Sequence, residues 1–349
     1  MAVPLSALKP PSLDPTPIFE IFRGSYATEL LTAAVAHFNV FGALAKQPRT
    51  REELGRDLGL ADRAAVVLTT ALRAMKLLEA DGNGRLLPTP LAREHLLPGA
   101  RFDVGNYVGL AANAPGVLEM VERLKTNRPA GAKSEAGTAF IYREGVASAM
   151  ESEASARHFT LALAGRAKNV APHLAAVLEL HDAQTLVDLG GGTGIYSIAL
   201  LQKHPKLRAI VLDRPEVLKV AQEMADEHGV ADRLECRPSD MFKGEIPQAD
   251  VVLLSNILHD WDVADCQSLV RRAAEALRAG GRLLIHDVLL NDALDGPLPI
   301  ALYSAALFTL TEGRAYSAAE YGAWMQEAGL TYHETLPTLI HCSVLVAAK

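Results

Sequence analysis

The 349-residue sequence is short of several things, and each shortage excludes a class of protein. It has three cysteines, Cys236, Cys266 and Cys342, far apart and without metal-ligand spacing, so neither a disulfide framework nor a zinc site is expected, only buried reduced thiols. It has no excess of positive charge. With 34 Lys and Arg against 41 Asp and Glu the formal net charge is -7, which leaves no electrostatic footprint for nucleic acid and favours a small neutral or apolar partner. It has no apolar h-region at its start, where Met1 to Pro17 holds one Lys and five prolines and reads as a loose arm. Its longest apolar stretches, Leu30 to Leu44 and Pro299 to Leu310, are too short or interrupted to span a bilayer. No repeat of solenoid period occurs. These absences predict a cytoplasmic protein that needs no membrane, no nucleic acid and no metal, and the length allows two domains with full cores.

What is present changes character along the chain. From Pro17 to Leu44 the pattern predicts an apolar helix, with Leu30, Leu31, Ala34, Val35 and Phe38 on more faces than a surface helix needs. Thr50-Arg51-Glu52-Glu53 is a capping box, Asp62 is expected to cap the next helix, and Asp81-Gly82-Asn83-Gly84 marks a hairpin turn between Leu78 and Leu86. Three helices and a hairpin outline a winged helix over residues 17–110, after an arm at 1–16. Residues 111–180 read as further helices, interrupted at Pro129-Ala130-Gly131 and Gly137. Residues 181–349 alternate regularly. Strand Thr185 to Leu189, a helix from Gly194, strand Arg208 to Leu212, helix Pro215 to His228, strand Ala249 to Leu254, helix Val263 to Ala279 and strand Arg282 to Val288 predict a doubly wound parallel α/β sheet. An apolar helix from Pro299 to Leu310, a capping box at Ser317-Ala318-Ala319-Glu320 and an antiparallel pair, Thr331 to Leu336 with Ser343 to Ala347, complete that pattern.

Two runs carry the chemistry. In Thr185-Leu186-Val187-Asp188-Leu189-Gly190-Gly191-Gly192-Thr193-Gly194 an apolar strand enters spaced glycines that let a cofactor lie against bare backbone at a helix start. Asp213 ends the next strand about 20 residues on, where a carboxylate can hold ribose hydroxyls. A nicotinamide dinucleotide would suit similar geometry, but Ser197 stands where that fingerprint has its third small residue. Further on, Asn256-Ile257-Leu258-His259-Asp260-Trp261 sets an imidazole just past another apolar strand, at the edge where open α/β sheets bind ligands.

The glycine run resembles the first motif of class I methyltransferases that use S-adenosyl-L-methionine. The segment around His259 resembles the catalytic segment of the O-methyltransferase family that includes caffeate, flavonoid and acetylserotonin enzymes. The resemblance runs from about Ile18 to the C-terminus and includes Gly313-Arg314-Ala315-Tyr316-Ser317 and Glu320-Tyr321. It implies a Rossmann-like catalytic domain at 181–349, a winged-helix dimerisation domain at 17–110, a helical linker at 111–180 shared between dimer and substrate pocket, and a homodimer. It implies that Asp188, Gly190 and Gly192 back the amino-acid end of the cofactor, that Asp213 holds the ribose, and that Asp240, Met241 and Phe242 surround the adenine. It also implies that His259 takes the proton from a substrate hydroxyl, with Asp287 as a flanking carboxylate. A phenol of pKa near ~10 is about a thousandth ionised at pH 7, whereas an imidazole near ~6.5 is mostly available as base.

The chain departs from the family at two places. Ala315 stands where many members have Glu, leaving Glu312 as the nearest substitute, and Ser255 stands where plant relatives carry a lysine. Phe159, Leu163, Tyr303, Leu307 and Phe308 are expected to wall a pocket for a hydroxylated aromatic or polyketide-like acceptor. A relative with shifted chemistry, by N-methylation or without methyl transfer, is the alternative within enzymes. The alternative outside them is a winged-helix transcription regulator, whose reading helix would offer Arg63, Arg73 and Lys76 among small or apolar residues.

Overall fold

The structure, a computed structural model, describes residues 4–128, 153–180 and 182–349. The breaks expected at 129–131 and 137 lie outside the described residues. The chain divides into two compact units. One comprises Ile18–Val146 with Leu290–Ala315, and the other Met1–Pro17, Ala147–Leu289 and Tyr316–Lys349. Among the described residues no single helix is long and apolar enough to cross a membrane, although the bent pair Thr16–His37 and Val40–Lys46 together has that length and composition.

In the first unit the helix expected from Pro17 to Leu44 is a series of pieces: Thr16–Arg23, Ala27–Thr32, a widened turn at Ala33–His37, and Val40–Lys46. The last break falls at Asn39, whose φ of 45° is the left-handed conformation that Asn tolerates better than most side chains. The capping box at Thr50 forms in both directions and opens Arg51–Leu58. Asp62 does not cap. Ala61 occupies the cap of Asp62–Ala74, and Asp62 lies in the first turn, where the helix dipole favours a carboxylate. Strands β1 (Leu78–Ala80) and β2 (Leu86–Pro88) pair as an antiparallel hairpin around Gly84, giving the three-helix and hairpin outline read from the sequence. The core gathers Leu30, Phe41, Leu68 and Leu72 with Leu302, Ala305 and Phe308 of the apolar helix Leu298–Leu310. Both arginines weighed for groove reading are engaged within this unit. Arg63 donates to Asn127, Thr311 and Gly313, and Arg73 to the carbonyls of Ala293 and Leu294.

The second unit is built on β3 (Thr185–Leu189), β4 (Arg208–Asp213), β5 (Leu234–Pro238), β6 (Ala249–Ser255), β7 (Leu277–Leu290), β8 (Tyr316–Ser317), β9 (Thr331–Pro337) and β10 (Cys342–Ala348). They order as β5-β4-β3-β6-β7-β10-β9, with β8 against β7. Strands β3 to β7 pair in parallel, and β10 runs antiparallel to both its neighbours. This is the doubly wound sheet expected. Strand β5 escaped the sequence reading because Leu-Glu-Cys-Arg-Pro is an edge strand with one fully buried side chain and shows no apolar run. From β3 the chain builds outward to β4 and β5, then returns to lay β6 on the other side of β3. The crevice at the carboxyl ends of β3 and β6 is therefore the switch point where such sheets bind ligands. Both motifs lie there.

The N-terminal arm is docked rather than loose at residues 5–7. Leu5 donates to the Glu227 carbonyl at 3.0 Å, Ala7 donates to Gln202 Oε1 at 2.7 Å, and Gln202 returns a bond to Leu5.

Candidate active site

The glycine turn after β3 is made mostly of backbone. Gly190, Gly192 and Gly194 take φ of 71°, 59° and 68°, which side-chain-bearing residues rarely adopt. Gly191 is required for a different reason. A Cβ there would lie 2.6 Å from the carboxyl carbon of Asp188 and 2.9 Å from Val211. A Cβ on Gly192, by contrast, would meet nothing within 4 Å, so the backbone is bare at that point. Asp213, at the end of β4, accepts from Gly192 N at 2.9 Å and Arg214 N at 2.7 Å, which ties the second acidic position to the turn itself.

Asp188 is 1% exposed and accepts from Ser197 Oγ at 2.7 Å through Oδ2, while its Oδ1 has no hydrogen-bond partner. Burial pushes this carboxyl up to about 7, against the Ser197 bond. Ser197, a departure from the dinucleotide fingerprint, thus has a defined task here. A buried acceptor without a partner is costly unless something cationic or donating completes it. The α-ammonium group of S-adenosylmethionine has that chemistry, so the open cradle at Gly192 and the incomplete Asp188 fit this cofactor. Past β5, exposed Asp240 accepts from Phe242 N at 2.8 Å, and the half-buried Phe242 ring stands edge-on to Trp261 at 4.7 Å. Met241 reaches toward the turn, its Cε 3.5 Å from where a Gly190 Cβ would be.

The second motif leaves β6 through Asn256, at a φ of 57°, into a short turn, Leu258–Asp260. His259 is 4% exposed. Its Nδ1 lies 2.5 Å from Asp287 Oδ1 on β7, and its Nε2 lies 3.7 Å from Asp260 Oδ1. Asp287 is fully buried and has further donors, Val288 N at 2.8 Å and the Tyr321 hydroxyl at 3.0 Å. Those bonds and His259 hold Asp287 below the usual carboxylate range even though burial works against the charge. An ionised carboxylate can only accept, so His259 donates through Nδ1 and its Nε2 is the basic nitrogen of the ring. Burial pulls the imidazole down, but Asp287 and Asp260 outweigh it and leave His259 above its ordinary value. The turn itself is held from outside by Cys266 Sγ on the Leu258 carbonyl at 3.1 Å and the Tyr316 hydroxyl on the Trp261 carbonyl at 2.7 Å.

The sequence reading gave Asp260, Asn256, Arg166 and Tyr321 no part in the site, although the first lies beside the histidine in the motif. Glu312, expected as a second carboxylate, is half-buried, and Asp260 Oδ1 lies beside Nε2. Ser255 faces inward, paired with His286 Nδ1 at 2.8 Å. Among the expected pocket residues, Phe159 is half-buried and Leu163 is 62% exposed on the helix Glu153–Val177. Tyr303 stacks under the Arg23 guanidinium at 4.6 Å, and Leu307 is buried. Phe308 is a core residue rather than a pocket wall, 0% exposed with Arg63 over its ring at 4.6 Å. Among the described residues no group of three or more His, Cys, Asp or Glu is placed to hold a metal ion.

The family profile described as the O-methyltransferase domain matches residues 131–331. The chain is 33% identical over 334 residues to 3-hydroxy-5-methyl-1-naphthoate 3-O-methyltransferase of Streptomyces sahachiroi, covering 95% of this chain and 94% of that protein. It is 30% identical to acetylserotonin O-methyltransferase of Bos taurus, covering 89% and 90%. A crystal structure of an O-methyltransferase family 2 protein from Planctomyces limnophilus in complex with apigenin superposes with a TM-score of 0.90, at 48% identity and full coverage of both chains.

Proposed function

The chain belongs to the O-methyltransferase family and is an S-adenosylmethionine-dependent O-methyltransferase; from that premise we propose that His259 is its general base and a small hydroxylated aromatic or polyketide-like molecule its acceptor. The observation that carries the base assignment is the short pairing of His259 Nδ1 with buried Asp287, which leaves Nε2 as the ring's proton acceptor. S-adenosylmethionine, when bound, supplies a methyl group activated by its sulfonium. Gly190, Gly192, Asp188 and Asp213 would hold the donor's amino-acid and ribose parts, and Asp240, Met241 and Phe242 its adenine. His259 removes the acceptor's hydroxyl proton at Nε2 as the oxygen becomes nucleophilic. Asp287 fixes the tautomer and stabilises the imidazolium, Asp260 adds a second negative charge 3.7 Å from Nε2, and burial keeps water off the ring.

The naphthoate enzyme and the apigenin complex among the relatives support a flat aromatic acceptor. Phe159 and Leu163 are the side chains of the sheet-bearing unit that we assign to its pocket. The first helix leaves Ile18, Ile21 and Phe22 70%, 81% and 76% exposed, which supports a homodimer with the 17–110 region as its dimerisation domain. Three free thiols suit a reducing compartment, and we place the enzyme in the cytoplasm.

The test is transfer of labelled methyl from S-adenosylmethionine to a panel of phenolic acceptors, with wild-type enzyme and His259→Ala. The expected result is turnover lower by about 10²-fold or more in the variant, with donor binding retained. Unchanged turnover removes the base assignment.

A further inference from the structure

The residue that launches the His259 turn is itself held from a distant helix. Asn256 sits in the left-handed region at the joint between β6 and the turn, with its backbone N–H and both side-chain polar atoms engaged. Its backbone N–H donates to the His286 carbonyl at 2.8 Å. Its side-chain nitrogen donates to Ser255 Oγ at 3.1 Å and the Tyr196 hydroxyl at 3.4 Å. Its side-chain oxygen accepts from Nη2 of Arg166, on Glu153–Val177 and 90 residues away in sequence. The amide therefore has one orientation, oxygen toward the guanidinium and nitrogen toward the Ser255 and Tyr196 hydroxyls. A left-handed non-glycine residue persists where surrounding contacts over-determine it, and from outside the sheet those contacts are Tyr196, on the helix Ile195–Lys203, and the charged one, Arg166.

We propose that Arg166, acting through Asn256, is a positioning residue for the His259 turn and the cation that balances the carboxylates around the ring. The inference rests on the reading of His259 as base and extends it. The groups around the ring and its turn come from several elements: Asp287 from β7 and Asp260 from the turn itself lie against the ring, with Tyr321 behind Asp287, while Cys266 from Val263–Ala276 holds the Leu258 carbonyl and Arg166 from Glu153–Val177 holds Asn256. Asp287 and Asp260 favour the charged imidazole, and the guanidinium opposes them. Without that opposition the base would hold its proton to higher pH and be less available at neutrality.

The experiment follows the His259 ring by 15N-resolved NMR titration in the free protein, and separately kcat against pH at saturating donor and acceptor. Variants are Arg166→Met, Arg166→Lys and Asn256→Gly, the last keeping the backbone conformation while deleting the amide. Arg166→Met is expected to move the ring's titration to higher pH, carry the acid limb of kcat with it and lower kcat by about 10-fold. Arg166→Lys is expected to return the titration toward wild type while restoring kcat only in part, because the charge is kept and the planar fork is lost. Asn256→Gly is expected to lower kcat with a smaller change in titration. Should Arg166→Met leave the titration in place, or raise only the KM for the donor, the proposal is overturned and Arg166 is a cofactor contact instead. The titration is read without turnover, so the result stands apart from that of His259→Ala, which tests the base itself.

Discussion

The two halves of the candidate site lie side by side at the ends of β3 and β6 and are made in opposite ways. The glycine turn is backbone. Its shape follows from consecutive residues, and it is tied to the end of β4 by Gly190 N–H on the Leu212 carbonyl and Gly192 N–H on Asp213. The His259 turn is side chains. The ring depends on Asp287, 28 residues on, and Asp287 in turn on Tyr321, 34 residues further. Binding a donor along bare peptide requires space and a fixed charge. Moving a proton requires a ring whose tautomer and basicity are set by groups the local sequence does not contain. Damage to the first half should therefore appear in stability and donor affinity, and damage to the second in rate and its pH dependence.

The largest effect that would sharpen this division is expected from Gly191→Ala. A methyl 2.6 Å from the Asp188 carboxyl carbon must displace it, so we expect destabilisation of about 1–3 kcal/mol in thermal unfolding and loss of measurable donor binding by calorimetry. Retained wild-type affinity would mean the turn yields more than its packing suggests. Asp287→Asn should lower kcat by about 10²-fold. It should also move the acid limb of activity to lower pH. The sign follows because His259 is held above 6.5 chiefly by this carboxylate against burial, and activity needs the neutral ring, so wild-type turnover should rise with pH through a point above 6.5. An unchanged limb would detach Asp287 from the base.

Asp188→Asn keeps an acceptor for Ser197 but removes the charge, and donor affinity should fall by about 10-fold with kcat little changed. In the wild-type protein Asp188 titrates near 7 because it is buried, so affinity for a cationic amine should strengthen as pH rises through that value and flatten in the variant. If this variant shifts the acid limb of kcat instead, the two halves are not separable. The smallest effect is expected from Tyr321→Phe, which leaves Asp287 its bonds to His259 and Val288. A reduction of about 3- to 10-fold in kcat is expected, one neutral hydrogen bond being worth roughly 1 kcal/mol. A loss equal to that of Asp287→Asn would make Tyr321 an indispensable partner of the carboxylate.

The same contrast explains how much could be read from the sequence. Strands β3, β4 and β6, the hairpin and both capping boxes were legible because each is specified within about ten consecutive residues: an apolar run, a glycine stop, a Ser or Thr three places before Glu. His259 and Asp287 were legible as members of a resemblance. Asp260, Asn256 and Arg166 were not, since nothing in their neighbours announces a bond across 90 positions or a left-handed asparagine. Phe308 was misread for the opposite reason. A large aromatic on an apolar helix looks the same in sequence whether it faces a ligand or, as here, the interior of its own unit.

That helix has a consequence for how the protein must be made. Leu302, Ala305 and Phe308 complete a core whose other members come from residues 30 to 124, yet they are encoded after all but the last strands of the sheet. A nascent chain emerging from the ribosome cannot close its amino-terminal unit until about nine-tenths of it has been translated. Cutting the gene at the apparent domain border should therefore yield an amino-terminal fragment with an open interior, fit for aggregation rather than for independent life.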